Sequence, residues 1–357
     1  YCLILKALRG SGLPDDVVGE KGNKHFYEYN GGKNVYSMYV SVAHHLTDRL
    51  NVIGKLQSIY QQYMLNNEKY VGTDFKTPYF FVNPQVGISY SISPTLSVYG
   101  SASLTRREPP LKNLYEAESA SWGAVPQFEK NGDGTYNYDE PLVKPELLTN
   151  LELGARISLQ KFVGSVNFYY MNFENEIVPS GGLDVFGQPR VGNAGKTHHI
   201  GIELEGVYKL PWDFQLSLNG NISRNRYVEF KEYDGNGTVI SRNDNYIANA
   251  PELILNMGLT YLNENFFAVV NVNHTGVQYT DNSIHPDGMK PTEVTVDPFT
   301  VVNFSTGVNY TLSGVRLKLS IEVNNLFDNK YLMNGFGWDN FFPSAGRNLM
   351  TNLKVEF

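Results

Sequence analysis

The sequence is short of the features that mark several common classes of protein. Its 357 residues include a single cysteine, Cys2, so no internal disulfide can form. No apolar run approaches the ~20 residues that a membrane-spanning helix needs. Lys and Arg number 29 against 36 Asp and Glu, a formal net charge of −7, which disfavours a nucleic-acid partner.

Motifs that carry enzyme chemistry are also missing. The sequence contains no P-loop, no HExxH zinc motif, no paired-cysteine metal motif and no Ser/His/Asp spacing typical of hydrolases. His44-His45 and His198-His199 are adjacent pairs, and adjacent side chains of a strand point to opposite faces, which is poor geometry for one metal ion. We therefore predict no enzyme activity, no metal site and no cofactor.

Aromatic residues, glycine and two-residue alternation are abundant instead. The chain has 24 Tyr, 20 Phe and 33 Gly, a composition that favours strands and turns. In several stretches, apolar residues occupy every second position over about twelve residues, whereas strands of soluble proteins usually have about five or six. Tilted strands of this length span the hydrocarbon core of a bilayer.

The spacing of these stretches predicts about fourteen strands, counting the opening segment as a partial one. The others are expected at 34–46, 50–62, 78–92, 95–106, 147–160, 162–175, 198–209, 213–228, 247–262, 265–280, 298–311, 315–328 and 346–357. The connections alternate between tight turns and long segments, and the long ones fall near 63–77, 107–146, 176–197, 229–246, 281–297 and 329–345.

Alternating short and long connections are typical of outer-membrane β-barrels. We predict an all-β, transmembrane, antiparallel barrel with apolar side chains facing lipid and polar side chains facing the interior. Such a strand number could close alone as a porin-like barrel or form the later part of a larger one. The polar residues expected to line the interior are Glu152, Arg156, Glu203, Glu205, Arg316, Lys318 and Glu322.

Four stretches, in the same order, resemble the C-terminal half of TonB-dependent outer-membrane receptors, particularly siderophore receptors. They are LVKPELLTNLELGARI (Lys144, Pro145, Glu146, Glu152, Gly154), NAGKTHHIGIELEG (Asn193, Gly195, Gly201, Glu203), IEVNNLFDNKYL (Asn324, Asn325, Leu326, Phe327, Asp328, Tyr331) and FFPSAGRNLMTNLKVEF (Gly346, Arg347, Phe357). The resemblance covers roughly 144–357 and extends loosely back to about residue 80.

The resemblance implies that residues 1–357 form the C-terminal part of a barrel of about 22 strands. An N-terminal plug domain, not visible in this chain, would occlude it. Since Tyr1 replaces an initiator Met and no signal-peptide pattern follows, we expect the chain to begin within a longer protein. The terminal Phe357 resembles the signal read by the barrel-assembly machinery, and it could equally belong to the lipid-facing aromatic girdle.

The segment 107–146 is the best candidate for ligand contact, because long loops in compact folds tend to be functional or disordered. Its rings and guanidinium groups would suit a planar or anionic metal chelate. The predicted ligand-binding residues are Arg106, Arg107, Tyr115, Trp122, Tyr136 and Tyr138. Alternatively, these side chains only close the mouth of the barrel. The aromatic segment NGFGWDNFFP, with Phe341 and Phe342, is expected at the barrel rim.

The function implied by the resemblance is active import of a ferric siderophore or similar metal chelate across the bacterial outer membrane. Expected partners are the TonB energy-transducing complex, acting through the plug, the barrel-assembly machinery and outer-membrane lipid. Alternatives of the same fold are receptors for cobalamin, haem or oligosaccharide. A passive porin-like channel is the alternative of a different class.

Overall fold

A computed structural model of the chain describes residues 2–8, 25–183, 189–233, 239–283, 295–312, 314–337 and 339–356. Fourteen strands form one antiparallel sheet, and each pairs with its neighbours in chain order, with β1 and β22 at the two edges. These strands are β1 (Cys2–Leu8), β2 (His25–His45), β3 (Leu50–Asn66), β4 (Phe75–Ser93), β5 (Leu96–Arg107), β8 (Glu146–Ser158), β9 (Phe162–Leu183), β10 (Pro189–Lys209), β11 (Phe214–Glu229), β14 (Leu253–Leu262), β15 (Phe266–Thr275), β18 (Phe299–Leu312), β19 (Val315–Asn324) and β22 (Asn348–Glu356).

Shorter elements lie in the connections between these strands. Among the described residues there are four two-stranded antiparallel sheets: β6 (Phe128–Lys130) with β7 (Tyr136–Pro141), β12 (Lys231–Tyr233) with β13 (Val239–Ser241), β16 (Gln278–Tyr279) with β17 (Thr295–Val296), and β20 (Leu332–Phe336) with β21 (Asn340–Pro343). The described helices are α1 (Leu111–Leu114) and a 3-10 helix (Ala117–Trp122). No helix in the described part of the chain is long and apolar enough to cross a membrane.

The all-β barrel architecture and the fourteen strands predicted from alternation are confirmed. The predicted long segment at 176–197 is wrong in its bounds, because β9 and β10 remain paired up to Pro189 and Leu183. Strict alternation ends there because side chains of this arm become buried under neighbouring loops: Val178 is 2% exposed and Ala194 is fully buried. A period-two pattern indicates a strand with one apolar and one polar face, so it does not identify a strand segment whose side chains are buried under loops.

The connections place all long loops at one end of the sheet. Those joining β2 to β3, β4 to β5, β8 to β9, β10 to β11, β14 to β15 and β18 to β19 have four residues or fewer. Because consecutive strands are antiparallel, these turns share one edge, here called the short-turn end. The other connections lie at the opposite edge, called the long-loop end.

The two faces of the sheet differ in chemistry as the alternation predicts. On the face here called the apolar face, large side chains are exposed, for example Met38 at 70%, Phe80 at 66% and Leu153 at 63%. The opposite, polar face carries the charged residues named from the sequence. There Asn167 donates a hydrogen bond to Glu203 Oε2 (3.2 Å), and Lys318 pairs with Glu356 (3.2 Å). One continuous exposed apolar face suits a barrel wall surrounded by hydrocarbon.

Glycines on the polar face make room for aromatic rings of the adjacent strand. Tyr99 is paired directly with Gly154, and Tyr169 with Gly201. A Cβ on Gly201 would lie 2.5 Å from the Tyr169 hydroxyl and 2.8 Å from the Ile222 carbonyl oxygen. A glycine covered by a cross-strand aromatic ring pins the register of a sheet. Two glycines of the family-like stretches therefore have a packing role.

We predict that Gly201→Ala destabilises the protein by about 1–3 kcal/mol, because the added methyl displaces a ring and presses on backbone. The measurement is the temperature at which the barrel loses its compact migration in detergent gels and its strand circular dichroism. Gly54→Ala is the matched control, since a Cβ at Gly54 meets nothing within 4 Å. Equal melting of the two variants would contradict the packing role.

Candidate ligand-binding site

The connection between β5 and β8 is a packed structure at the long-loop end. Its apolar residues bury themselves against the long-loop ends of β2, β3 and β4, in what we call the aromatic cluster. The cluster comprises Tyr29, Leu65, Phe75, Leu114, Tyr115, Ala117, Ala120 and Phe128, with Tyr27, Tyr63, Leu111, Tyr136 and Tyr138 packed on it. The loop therefore covers part of the polar face of the sheet.

Ring contacts hold the β6–β7 hairpin on this cluster. The ring centroids of Phe75 and Phe128 lie 5.0 Å apart, and the Tyr138 ring lies 5.4 Å from Phe75 and 5.1 Å from Phe128. The hydroxyl of Tyr29 donates a 2.5 Å hydrogen bond to Glu118 Oε1 in the 3-10 helix. Edge-to-face and offset aromatic pairs stabilise by about 0.5–1.5 kcal/mol beyond their burial.

The structure brings three of the predicted ligand-binding tyrosines together in this cluster. Tyr115 is 1% exposed, so its ring offers no surface to a ligand in this conformation. Burial, aided by the nearby Glu68, raises the pKa of the Tyr115 phenol. Tyr136 and Tyr138 are half-buried, with ring centroids 6.2 Å apart. The side chain of Trp122 lies outside the described residues. Ligand contact by these four residues stays a prediction.

The two predicted arginines lie on opposite faces of the end of β5. Arg107 Nε pairs with Glu146 Oε1 at 2.8 Å on the polar face, and that buried carboxylate also accepts from the backbone of Ile177 at 3.2 Å. Arg106 Nη1 donates to the carbonyl of Val82 at 3.3 Å. The Arg107 side chain remains 63% exposed. Of the two, it is the one placed to meet a ligand above the polar face.

A buried carboxylate next to these arginines was missed by the sequence reasoning. Glu108, 8% exposed, accepts hydrogen bonds from Lys33 of β2 and Gln61 of β3. The ammonium of Lys33 also lies 4.9 Å from the ring centroid of Tyr63. Charge-assisted hydrogen bonds of this kind are about twice as strong as neutral ones. The network fixes the start of the β5–β8 connection onto the barrel wall.

We predict that Glu108→Gln weakens the attachment of residues 108–145 by about 1–3 kcal/mol, because the paired charge is removed from a buried position. The measurement is the rate of limited proteolysis within 108–145 for the folded protein in detergent.

Glu129→Gln is the control for this prediction. Glu129 lies in the same connection, but its side chain is exposed. Cleavage should accelerate in the Glu108 variant only. Unchanged cleavage in both variants would contradict the attachment role.

A second set of loops is joined by polar contacts across the long-loop end. Asn282 is central, because its Oδ1 accepts from the backbone of Ala248 (2.8 Å) and its carbonyl accepts from Asn245 Nδ2 (2.9 Å). Its Nδ2 also donates to the carbonyl of Pro179 in the β9 arm. Each of these contacts joins residues distant in sequence. The β9–β10 arm, the β11–β14 connection and the β15–β18 connection are therefore interlocked into one layer at the long-loop end.

An open cavity of 640 Å³ lies beside this layer, a size typical of small-molecule sites. Its lining residues are Thr295, Asp297, Pro298, Phe299, Asn329, Lys330, Tyr331, Leu332, Phe341 and Pro343. The rings of Phe299 and Tyr331 are stacked, with centroids 4.3 Å apart. We call this the loop cavity. Phe341, expected at the rim, lines it, whereas Lys330 and Tyr331 had not been singled out as ligand contacts.

The segment Asn324–Asp328, quoted above for its family resemblance, positions one wall of the loop cavity. Asn325 is 4% exposed; its Nδ2 donates to the carbonyl of Asn329 (2.9 Å) and its Oδ1 accepts from the Asn329 backbone (2.8 Å). Asp328 Oδ1 accepts from Lys330 Nζ and from the backbone of Arg347, each at 2.8 Å. These bonds hold the pKa of the Asp328 carboxyl below its usual range, the Lys330 contact being the larger cause.

We predict a pH dependence at this corner. Because the folded-state pKa of Asp328 is depressed, its stabilising contribution is present above the ordinary aspartate pKa and is lost as pH falls through the depressed value. Asp328→Asn should speed amide exchange at Arg347 at neutral pH, and the wild type should match the variant only below about pH 4.

Hydrogen-exchange mass spectrometry over peptides covering 325–349 measures this, after correction for intrinsic rates. Asp339→Asn is the control, because among the described residues this exposed carboxylate of the same loop accepts a side-chain hydrogen bond from Asn340 alone (2.8 Å). Identical exchange of the Asp328 and Asp339 variants at neutral pH would contradict the prediction.

Metal-ligating side chains are not grouped at this end of the sheet. Among the described residues, no three His, Cys, Asp or Glu side chains are placed to hold a metal ion together. His199 instead contacts Glu176 (3.1 Å) and Asn225 (2.8 Å) on the polar face. The arrangement at the long-loop end can bind a ligand through rings, one ammonium and carboxylates.

The family is decided by comparison with known sequence families. A model described as "TonB dependent receptor-like, beta-barrel" matches residues 8–326. The chain belongs to this family. Its members are receptors and transporters rather than enzymes. A search of curated proteins finds no match to the sequence.

Solved structures of TonB-dependent receptors share the fold. The chain superposes on the siderophore receptor PiuA from Acinetobacter baumannii with a TM-score of 0.68 and 15% identity, covering 91% of this chain and 43% of PiuA. The superposition on the ferric citrate transporter FecA has a TM-score of 0.68 and 14% identity, and it covers 94% of this chain and 47% of FecA. The superposition on the ferric yersiniabactin uptake receptor FyuA from Yersinia pestis has a TM-score of 0.65 and 18% identity, and it covers 93% of this chain and 48% of FyuA. The chain thus spans less than half the length of these neighbours.

Proposed function

We propose that this chain forms the C-terminal part of the wall of a TonB-dependent receptor that imports a ferric siderophore or similar metal chelate. The observation that carries the proposal is the one-sided sheet: fourteen strands in chain order, with an exposed apolar face, a polar face and interlocked loops at one end. This arrangement suits a wall between lipid and a polar lumen, with a binding vestibule at the long-loop end.

The bacterial outer membrane is the proposed location, with the short turns in the periplasm and the long-loop end outside. In the described part of the chain no ladder joins β1 to β22, which fits a wall that continues in further strands. Energy would come from the TonB complex through a plug domain. Barrel assembly would use the machinery that reads a terminal aromatic; Phe357 lies outside the described residues, so this role stays a prediction.

The substrate class is supported by the chemistry of the loop cavity. The stacked rings of Phe299 and Tyr331 provide a flat apolar surface, and Lys330 brings an ammonium beside it. A metal chelate combines flat ligand groups with charged oxygen atoms, so stacking and ionic contact would act on it together. Arg107, exposed above the polar face at the end of β5, is a further cation at the long-loop end, but it does not line this cavity.

Uptake of a labelled ferric chelate tests the proposal. Cells that lack the receptor and cells that express the full-length protein are compared over a panel of iron sources, with and without a functional TonB. We expect uptake of at least one ferric chelate that needs both the receptor and TonB. TonB-dependent uptake of cobalamin, haem or an oligosaccharide instead would change the proposed substrate but leave the proposal of active import standing.

Conductance separates active import from a passive channel. The full-length protein in a planar bilayer should be nearly silent if a plug occludes the barrel, whereas a porin-like channel conducts steadily. Persistent open conductance, with uptake independent of TonB, would overturn the proposed function.

We predict that Phe341→Ala raises the half-saturating concentration of the imported chelate about tenfold, the loss expected for one buried aromatic contact. Phe342→Ala is the matched control: the adjacent ring is 39% exposed, packs 6.0 Å from Phe336 and does not line the loop cavity. Concentration-dependent whole-cell uptake measures both variants. Equal half-saturation for wild type and Phe341→Ala would remove the loop cavity from the binding site.

A further inference from the structure

A shallow groove crosses the apolar face between β8 and β11. Its volume is 660 Å³, and the apolar-face side chains that line it come from two adjacent rows of the sheet. They are Leu151, Tyr170, Ile200 and Arg224 in one row, and Leu153, Phe168, Ile202 and Ile222 in the next row towards the short-turn end. Seven of these eight side chains are apolar or aromatic, and the eighth is an arginine.

Arg224 is unusual in its surroundings. It is exposed on the apolar face, directly paired across the ladder with Ile200. Among the described residues, none forms an ion pair with it. Arg226, two positions further, is paired with Glu252 at 2.5 Å and is only 8% exposed. Arg224 is therefore the cation that remains available at this groove.

The height of Arg224 on the sheet matches the border of a bilayer. Along β11, apolar-face positions run from Phe214 through Ile222, and Arg224 is the next residue on that face. A tilted strand crosses the hydrocarbon core in about 9–11 residues, so the stretch from Phe214 to Ile222 is long enough to span the core. Trp212, 83% exposed, marks the opposite border at the short-turn end.

Neighbouring side chains change character at the same height. The hydroxyl of Tyr170 lies 3.0 Å from His198 Nε2, and Asn172 Oδ1 lies 2.9 Å from the same nitrogen. Tyrosine is enriched where one end of a side chain is in hydrocarbon and the other meets water. An arginine on the lipid-facing side is tolerated at this level, whereas at the bilayer midplane it is strongly destabilising. Its guanidinium group would meet lipid headgroups.

We propose that this groove is a binding site for a membrane lipid, with an acyl chain in the groove and the headgroup phosphate on Arg224. The guanidinium fork matches two phosphate oxygens, and charge complementarity selects an anionic headgroup. The apolar rows contribute only to a ligand that carries hydrocarbon, so a free phosphate would gain nothing from them. The inference rests on the membrane location in the proposed function, not on the imported substrate.

Lipid retention tests the site. The full-length protein in detergent is titrated with dioleoyl phosphatidylglycerol, and bound lipid is counted by native mass spectrometry. We expect Arg224→Gln to weaken binding of the most tightly held lipid about tenfold, the loss expected for one charge-assisted hydrogen-bonded pair. Arg224→Lys, which keeps the charge without the fork, should fall in between and guards against misfolding of the glutamine variant.

Arg156→Gln is the matched control. It removes the same charge from an exposed arginine on the opposite, polar face of the sheet, in β8. Lipid retention should stay at the wild-type level. Equal retention by the Arg224 and Arg156 glutamine variants would overturn the proposal.

Two further ligands separate the possible sources of the contact. Dioleoylglycerol has the chains without the phosphate and should bind equally to wild type and Arg224→Gln. Inorganic phosphate should not displace the phospholipid; displacement at millimolar concentration would overturn the lipid assignment in favour of a free anion. Chelate uptake by Arg224→Gln should match the wild type, so failure of this site and failure of the transport proposal give different results.

Discussion

A backbone amide or carbonyl group has no hydrogen-bond partner in hydrocarbon, and with the proposed membrane location this constraint organises the wall of the barrel. The sheet meets it by the simplest topology, in which each of its fourteen strands pairs with the next of the fourteen along the chain. Once the ladders satisfy the backbone, side chains alternate between two solvents, which produces the exposed Met38 and Phe80 on one face and the Asn167–Glu203 contact on the other. The hydrophobic effect that normally drives residues into a protein core here drives them outwards.

The wall was predictable because its signal is local. Each strand reports its two environments through its own alternation, so the strands and the short turns emerged from single stretches such as Val315–Asn324. The sequence pattern did not predict the β9–β10 arm, which begins at the Glu176–Ala194 pair. Its side chains no longer alternate between an apolar and a polar environment, because loops distant in sequence cover them. What alternation also leaves out is register. The pairing of Tyr169 with Gly201, and of Tyr99 with Gly154, depends on two strands at once, although the glycines stood in stretches already recognised by resemblance.

The candidate site was predictable only in outline. Counting rings and guanidinium groups pointed to one connection at the long-loop end, but the count does not say which rings are exposed to a ligand, and ligand contact there stays a prediction. Tyr115 lies in the aromatic cluster because the β5–β8 connection has enough apolar residues to build its own small core. Conversely, no local sequence pattern distinguishes Glu108. Its structural role depends on hydrogen bonds from Lys33 and Gln61, which belong to strands far away in the sequence. The loop cavity likewise assembles residues around 295–299, 329–332 and 341–343, which no single motif contains.

The wall and the loops are therefore constrained by different interactions, and a residue at the border between them can be interpreted only by considering both. With the proposed membrane location, a side chain on the apolar face meets lipid, which tolerates almost any apolar residue. The loops at the long-loop end are instead held by particular polar contacts such as those of Asn282. This division would let the loops change while the wall persists, and neighbours of 14–18% identity do retain the fold. Arg224 lies at that border, on the lipid side. With the proposed membrane location, its exposure fits a border at which the surroundings change from hydrocarbon to headgroups, so the constraint that orders the strands would also account for this cation.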